Sequence, residues 1–483
     1  MRKLLTAVLV FSAVSLFAAQ AAVAQPGFFE VPGSPFGTGT NPQSIAFSQN
    51  RAFAATANAD ANDVSVFTYS TSGRLTAVAG SPFKTGTGPQ SLAFSPDSGL
   101  LAVANKSDNT VSIFAVAFSG SLTQVSGSPF KVGTAPDSIA FSPSGGLIAV
   151  ANGADNTVSV FTVSPGGSLT QVGSPTTVGA NPDSVAFSPG GRLLAVANGG
   201  SNSVSMLSVS SSGSLTPVAA YTTGTTPVSV AFSPGGSTVA TANNAGNNVS
   251  VFTVSSTGTL TPVLNSPFAT GHGPRALQYS PSGELLATAN ASANTVSVFF
   301  VHVGGWLEPL PLTGATLTLG GGATGPTSVA FSGLGGFLAT ANAASNNISV
   351  FQTVDCSSMF NQGFQAGFNA GFNPGFNAAF RGQYRPHGAW DVGFTRGYET
   401  ARAHRGLTSA HTVSGAIRVA SAGSAATDPR PHAQTPAQAA CDPVFNAAFH
   451  QGFNAAFNAA FNAGFNAAFN NGYRAGFARA RHP

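Results

Sequence analysis

Residues 89–95 read PQSLAFS, residues 101–105 read LAVAN and residues 109–114 read NTVSIF. Close copies of this sequence occur seven times, and each begins with one anchoring proline: Pro42, Pro89, Pro136, Pro182, Pro227, Pro274 and Pro326. Successive anchoring prolines are 47, 47, 46, 45, 47 and 52 residues apart. A period of this length, with about four short strands per unit, is typical of a β-propeller.

Four short strands and their turns account for one unit. In the second unit, strands are predicted at residues 90–95, 100–104, 110–116 and 121–125, because each run is rich in β-branched or aromatic residues and is bounded by turn residues. The first turn of the third unit, residues 142–145, reads SPSG, which suits a type I turn. Asn and Asp residues follow the second strand and are expected to satisfy backbone groups of that turn locally.

The sequence also indicates how the ring closes. Residues 30–36 match the ends of the fourth strands at residues 78–83 and 125–130, although they precede the first unit. The seventh unit stops after its third predicted strand, residues 347–354. An open ring would expose unpaired strand edges. We therefore expect the N-terminal segment to supply the missing outer strand of the last blade, in an all-β, seven-bladed propeller of four-stranded blades.

The N-terminus has the pattern of an export signal. Arg2 and Lys3 precede an apolar run at residues 4–17, and residues 22–24 read AVA, a small-residue cleavage site. Residues 1–24 are therefore predicted to be a signal peptide, and the protein is expected to be secreted: periplasmic, cell-surface or extracellular. Because no later apolar run reaches about 20 residues, no transmembrane span is predicted.

Composition divides the remaining chain into a propeller at residues 25–355 and a tail. Residues 25–355 carry 7 basic and 11 acidic side chains, or −4, and residues 356–483 carry 10 basic and 4 acidic, or +6. Charged residues make up only 7% of the chain, too few for a surface that binds nucleic acid by neutralising phosphates. Nucleic acid is therefore excluded as a partner.

The tail consists of two Phe-rich segments, residues 356–406 and 441–483, joined by a flexible linker at residues 407–440. Phe recurs at every fourth residue from Phe360 to Phe380 and from Phe445 to Phe469, so the tail is predicted to be helical or disordered. In an exported protein, Cys356 and Cys441 are expected to form a disulfide. Self-association, attachment to a partner, passive disorder and contact with a membrane surface remain open for this tail.

The repeats, written GSPFxTGxxPxSxAFSPxGxLLAVAN, resemble the YVTN-type surface repeat and the lactonase-type (6-phosphogluconolactonase-like) seven-bladed propellers over residues 28–354. Gly273-Pro274-Arg275 stands where the lactonase signature has Gly-Pro-Arg-His, and Asn290 stands where it has Asn-Glu. Ala276 and Ala291 occupy the His and Glu positions. The resemblance implies a propeller with lactonase chemistry, in which Arg275 stabilises the developing oxyanion but no side chain replaces the missing proton carriers.

The variable residue after each anchoring proline is expected to lie near the mouth of the central channel. These seven residues are Gln43, Gln90, Asp137, Asp183, Val228, Arg275 and Thr327. All of them except Val228 are predicted to bind a ligand, which is a small molecule, a glycan or a protein. Arg275 and the adjacent His272 are the candidate catalytic residues. The alternatives are a solvated polar rim, a ligand-binding mouth and a catalytic site.

The sequence thus favours a secreted or cell-envelope propeller that acts as a binding or scaffolding module and carries a self-associating or partner-binding Phe-rich tail. The alternative is a lactonase-like hydrolase with its site near Arg275. No cofactor is predicted. No metal site is predicted either, because turn chemistry explains Asp60, Asn62 and Asp63 and no loop has the carboxylate spacing of a calcium site.

Overall fold

The computed structural model describes residues 27–310 and 316–354. The predicted signal peptide at residues 1–24, the Phe-rich segments at 356–406 and 441–483, the linker at 407–440 and the predicted Cys356–Cys441 disulfide lie outside the described residues. The described residues form 34 strands in seven antiparallel sheets and no helix. Accordingly, this part of the chain contains no helix that could cross a membrane.

Each sheet is one blade, and the anchoring proline is the first residue of its innermost strand. The first strands are Pro42–Phe47, Pro89–Phe94, Pro136–Phe141, Pro182–Phe187, Pro227–Phe232, Pro274–Tyr279 and Pro326–Phe331. The second strands are Phe53–Asn58, Leu100–Asn105, Leu147–Asn152, Leu193–Asn198, Thr238–Asn243, Leu285–Asn290 and Phe337–Asn342. The third strands are Asp63–Tyr69, Thr110–Val116, Thr157–Val163, Ser203–Val209, Asn248–Val254, Thr295–Val301 and Asn347–Val354.

The outer edge of most blades differs from the predicted single fourth strand. Two short strands pair with opposite ends of the third strand, as in the second blade, where Leu122–Gln124 and Phe130–Lys131 both pair with Thr110–Val116. The fourth strands are Leu75–Ala77, Leu122–Gln124, Leu169–Gln171, Leu215–Thr222, Leu260–Pro262, Leu307–Pro309 and, in the seventh blade, Gly27–Glu30. The additional short strands are Phe83–Lys84, Phe130–Lys131, Thr176–Thr177, Phe268–Ala269, Thr316–Thr318 and Phe36–Gly37.

The ring is closed as the sequence predicted. The innermost strands contact one another around the full circle, including the first against the seventh. Gly27–Glu30 and Phe36–Gly37 both pair with Asn347–Val354. Val31 N–H donates to Val350 O at 2.9 Å, and Val350 N–H donates to Ser34 Oγ at 3.1 Å. The N-terminal segment therefore completes the last blade without a covalent bond, by hydrogen bonds and by the packing of Val31 in the core.

The core consists of apolar layers between successive blades. The second strands are buried on both faces, and Leu101, Ala102, Val103 and Ala104 are each 0% exposed. Leu101 and Val103 pack against the first blade, whereas Ala102 and Ala104 pack against the third. Because each side chain faces one neighbouring blade, packing explains why this part of the repeat is constant.

Asparagine side chains also join each blade to the next. Seven Asn residues, each directly before a third strand, have φ between 50° and 58°, a left-handed conformation that Asn tolerates. They are Asn62, Asn109, Asn156, Asn202, Asn247, Asn294 and Asn346. Each Oδ1 accepts a hydrogen bond of 2.7–2.8 Å from a backbone N–H of the following blade. These side chains therefore bond between blades, and not within their own turn as expected from the sequence.

Candidate mouth site

The residue after each anchoring proline is a β-bulge in all seven blades. The register between the first and second strands shifts at this residue, as between Pro136 and Ser138, so Asp137 has no cross-strand partner. The same shift occurs in the other six blades. Because bulges re-aim a side chain out of the regular pleat, these seven residues vary without disturbing the ladder. The shift explains why the predicted ligand-binding residues differ from blade to blade.

A rigid backbone supports each bulge. The residue before every anchoring proline has a left-handed φ, 54° at Ala135 and 55° at Thr226. Its N–H is bound by the interblade Asn, and its carbonyl accepts a hydrogen bond from the residue after the second strand. Glycine would adopt this φ without strain, whereas a β-branched residue such as Thr226 is an outlier there. The backbone around the bulge is thus alike in the seven blades, and the blades differ at the mouth mainly in the bulged side chain.

Two carboxylates lie together in the third and fourth blades. The Asp137 side chain is 8% exposed and accepts a hydrogen bond from Lys106 Nζ. Burial raises the pKa of Asp137, while Lys106 opposes this shift. Asn181 Nδ2 donates to both carboxylate oxygens of Asp183 at 3.0–3.1 Å. Burial and the nearby charge of Asp137 raise the pKa of Asp183 to about 6. The environment of the pair therefore raises the pKa of one carboxyl group, Asp183, to about 6.

Two glycines make room for these carboxylates. A Cβ on Gly153 would lie 2.2 Å from Asp137 Oδ2, and one on Gly199 would lie 2.1 Å from Asp183 Oδ2. Neither glycine has a positive φ, so backbone conformation does not require it. The equivalent residues of the other blades are Ala59, Lys106, Asn244, Ala291 and Ala343. Glycine thus follows the second strand only in the two blades with a bulged Asp, a signal that aligning the repeats would have revealed.

The amide side of the mouth lies in the first and second blades. Gln43 Nε2 donates to Asn41 Oδ1, and Asn41 Nδ2 donates to Asp60 Oδ1 at 3.0 Å. Gln90 Nε2 lies 3.5 Å from Gln43 Oε1. Both bulged glutamines are half-buried, so the structure brings together two of the predicted ligand-binding residues.

The Thr327 hydroxyl forms a hydrogen bond that joins two blades. Its hydroxyl donates to Pro42 O at 2.8 Å, across the junction between the seventh and first blades. The hydroxyl also lies 3.2 Å from Ala341 O. Because a hydroxyl has a single proton to donate, Thr327 stabilises ring closure and retains only its acceptor capacity for a ligand.

Arg275 and His272 lie at the entry to the sixth blade, and both are exposed. Among the described residues, the Arg275 side chain forms no salt bridge or hydrogen bond. Pro274 O, next to it, accepts a hydrogen bond from Asn244 Nδ2 at 3.2 Å, which fixes the backbone there. Arg275 therefore presents its full donor set to the solvent at the mouth.

The structure also shows what surrounds the two alanines of the sixth unit. Ala276 occupies the position at which the other six blades have Ser, whose Oγ accepts a backbone N–H of the next blade at 3.1–3.3 Å. In its place, Gln278 Oε1 accepts from Phe331 N–H. Ala291 N–H donates to Gly273 O at 2.9 Å, directly beside Arg275. Both alanines thus lie close to Arg275, and neither has a side chain that transfers protons.

One groove lies on the opposite face of the ring. It has a volume of about 530 Å³ and lies among the turns that follow the first and third strands of the third to fifth blades. Ser, Pro and Gly residues line it, with Arg192 as its charged side chain. No carboxylate or histidine lines this groove, whereas Asp137 and Asp183 lie at the mouth.

A family model described as lactonase, 7-bladed β-propeller, matches residues 38–232 and 229–311, which is more than half of the chain. This chain belongs to the seven-bladed lactonase propeller family. This match confirms the resemblance to lactonase-type propellers and the seven-bladed fold predicted from the repeats. No curated protein matches the chain.

Solved structures similar to this lactonase-family propeller share its fold. A candidate 6-phosphogluconolactonase of Bacteroides uniformis is 21% identical, with a TM-score of 0.54, and covers 63% of this chain and 98% of its own. The periplasmic gluconolactonase PpgL of Pseudomonas aeruginosa is 20% identical, with a TM-score of 0.51 and coverages of 61% and 97%. Hydrazine synthase of Kuenenia stuttgartiensis is 19% identical, with a TM-score of 0.52 and coverages of 67% and 98%. At such identities the likeness concerns the fold alone, and function must be argued from the site.

Proposed function

We propose that the mouth of this propeller hydrolyses a lactone. The pairing of a half-buried Asp183 with the buried Asp137 carries the proposal. Asp183 is a candidate base that is not among the residues of the lactonase signature. Family membership supports hydrolysis over the scaffolding role that the sequence favoured. A binding module remains the second candidate, since Ala276 and Ala291 lack the proton-transferring groups of that signature.

In the proposed reaction, Asp183 accepts a proton from water while the water oxygen attacks the lactone carbonyl carbon. The electron pair of the C=O bond moves to the carbonyl oxygen, and the cationic Arg275 stabilises the resulting oxyanion. Collapse of this intermediate breaks the ring C–O bond, and Asp183 returns its proton to the leaving oxygen. The product is an open-chain hydroxy acid. Val228 is the bulged residue of the fifth blade, between Asp183 in the fourth and Arg275 in the sixth. Its apolar side chain forms no hydrogen bond with either group.

Kinetics of the full-length protein with glucono-δ-lactone and a simple γ-lactone test this proposal. We expect turnover above the uncatalysed rate, with kcat/KM falling below about pH 6 as Asp183 becomes protonated. Asp183→Asn and Arg275→Ala should each reduce kcat/KM by about 100-fold. The control Asp97→Asn removes a carboxylate from a turn between a first and a second strand and should leave it unchanged.

Gly199→Ala offers a sharper test because it leaves every titratable group in place. The added methyl group would occupy the position of Asp183 Oδ2, so the carboxylate must move and kcat should fall. Ala59→Gly, at the equivalent residue of the first blade, is the matched control. Absence of turnover in the wild type would favour the binding module, and full activity of Gly199→Ala or Asp183→Asn would exclude Asp183 as the base.

We also propose that the protein is exported and that its tail associates with itself or with a partner. The pattern of residues 1–24 supports export, and PpgL is itself described as periplasmic. Fractionation of cells that express the full chain, or a chain lacking residues 356–483, tests both points. Mass spectrometry under non-reducing conditions tests the Cys356–Cys441 disulfide, since an unmodified pair of thiols would contradict it.

A further inference from the structure

Four positions of the outer hairpin in the sixth blade depart from the repeat. The hairpin joins the third strand Thr295–Val301 to the fourth strand Leu307–Pro309. Its departing residues, here called the blade-6 cluster, are Phe300, His302, Trp306 and Glu308. At these positions the fifth blade has Thr253, Ser255, Thr259 and Thr261, and the third has Thr162, Ser164, Ser168 and Thr170. The small hydroxyl residues of the third and fifth blades are thus replaced in the sixth by three aromatic rings and a carboxylate.

All four side chains lie on one face of the hairpin. Phe299, Val301 and Leu307 pack against the fifth blade. Because side chains alternate along a strand, the intervening residues of the cluster face the other side. The register places Phe300 directly opposite Glu308, and His302 N–H donates to Trp306 O at 2.9 Å. The cluster is therefore one contiguous surface and not four unrelated substitutions.

Contacts within the cluster arrange its polar and aromatic groups. His302 Nε2 lies 2.8 Å from Glu308 Oε2. The imidazole and indole ring centroids are 4.6 Å apart, with the planes tilted by 36°. Trp306 remains 38% exposed, and the Glu308 side chain is 48% exposed. An exposed indole thus lies beside a hydrogen-bonded carboxylate–imidazole pair.

Packing does not require these residues. In the fifth blade the Thr253 hydroxyl bonds to Thr261 O at 3.3 Å, and the same bond recurs in the first, third and fourth blades. The hairpin keeps the same strand pairing with either set of side chains. Large aromatic side chains at such a position expose apolar surface to the solvent and do not contribute to the core. Exposed aromatic residues of this kind are typical of a binding surface.

We propose that the blade-6 cluster binds a sugar ring, at a site separate from the mouth. The negative face of an indole attracts the C–H groups on one face of a pyranose, while carboxylate and imidazole hydrogen-bond its hydroxyl groups. A cation is the competing ligand for aromatic rings and a carboxylate. It suits this cluster less well because His302 already binds the Glu308 carboxylate. The sugar is a free oligosaccharide or the exposed end of a glycan.

Titration of intrinsic fluorescence in the full-length Trp390→Phe protein, in which Trp306 is the remaining tryptophan, tests the proposal. The probes are laminarihexaose, chitohexaose and maltohexaose, with choline chloride as the cation probe. We expect a saturable change with at least one oligosaccharide and none with choline. Pull-down on an insoluble glucan or chitin then separates recognition of a polymer end from recognition of the free sugar.

The repeat itself supplies the matched variant. Phe300→Thr, His302→Ser, Trp306→Thr and Glu308→Thr together give the sixth blade the residues of the fifth, which already form this hairpin. Binding, followed by calorimetry because Trp306 is gone, should weaken at least tenfold while the unfolding temperature changes little. Unchanged binding by this variant, a response to choline alone, or no saturable change with any oligosaccharide would overturn the proposal. None of these outcomes depends on lactone hydrolysis at the mouth.

Discussion

A buried hydrogen bond that is present in four blades and absent in three gives a quantitative prediction of stability. Each second strand ends in an Asn that is 0% exposed: Asn58, Asn105, Asn152, Asn198, Asn243, Asn290 and Asn342. In the first, fifth, sixth and seventh blades, the Thr two residues earlier donates to this Asn Oδ1 at 2.9–3.1 Å. In the second to fourth blades that residue is Val103, Val150 or Val196, and the Asn Oδ1 accepts no hydrogen bond from a described residue.

Val150→Thr should therefore stabilise the propeller. The substitution replaces a methyl group by a hydroxyl of similar size, in the geometry that Thr241 already adopts in the fifth blade. A satisfied hydrogen bond contributes about 1 kcal/mol to the free energy of unfolding. At an ordinary core site, the same change buries an unpaired hydroxyl and costs about 1–3 kcal/mol. Val158→Thr is that control, because Val158 is 0% exposed and packs on the opposite face of the third blade from Asn152.

Urea unfolding of the full chain measures both variants, and an unchanged m-value would show that the unfolding transition is the same. Val150→Thr should raise the free energy of unfolding by about 1 kcal/mol, and Val158→Thr should lower it. Thr241→Val, which removes the donor from the fifth blade, should cost about 1–3 kcal/mol. If Val150→Thr destabilises the protein as much as Val158→Thr does, the unsatisfied acceptor does not determine stability at this site.

Three further predictions concern the mouth and the ring closure. Burial raises the pKa of Asp183 from its ordinary 3.8 to about 6, so ionisation of this carboxyl destabilises the fold progressively between about pH 4 and pH 6 and fully above pH 6. Asp183→Asn should therefore raise the free energy of unfolding by about 1 kcal/mol at pH 7.5 after allowance for solvent screening, and by nothing below about pH 4. Thr226→Asn should stabilise the fifth blade by about 1 kcal/mol in thermal unfolding, since Asn tolerates the φ of 55° better. Ser34→Ala removes the acceptor of Val350 N–H and should speed limited proteolysis of the N-terminal segment, whereas Ser81→Ala, which removes the equivalent bond within the first blade, should not.

Much of the fold follows from the repeat. The count of blades, the turn positions and the N-terminal closing strand could all be predicted, because each depends on a pattern that recurs with fixed spacing. The split outer edge could not be predicted, since Leu122–Gln124 and Phe130–Lys131 are short strands whose pairing depends on the whole third strand. The interblade role of Asn109 was missed for a similar reason: its partner, Ala135 N–H, belongs to the next unit.

The sequence predicts where the candidate site lies, but it does not predict the environment of its carboxylates. The residue after each anchoring proline varies between blades, and the β-bulge found there in all seven blades explains this variation. Ligand binding by these residues stays a prediction. The charge state of Asp183 was not readable from sequence, because its raised pKa arises from burial and from Asp137 in another blade. Thr327 was placed among the ligand-binding residues, yet its hydroxyl proton is directed to Pro42 O.

Departures from the internal repeat are therefore better evidence of function in this molecule than either polarity or exposure. Most residues of a blade are determined by contacts that the other six blades reproduce, so a residue that differs while the backbone stays the same, and that adds a functional group, is a candidate for function. Asp183 satisfies this condition, because Gly199 differs along with it only to leave space for the carboxylate. Trp306 satisfies it as well, because the hairpin that carries it is paired as in the fifth blade. Val150 is the contrasting case: four other blades have Thr at its position, and the difference leaves Asn152 Oδ1 without a donor among the described residues while adding no functional group.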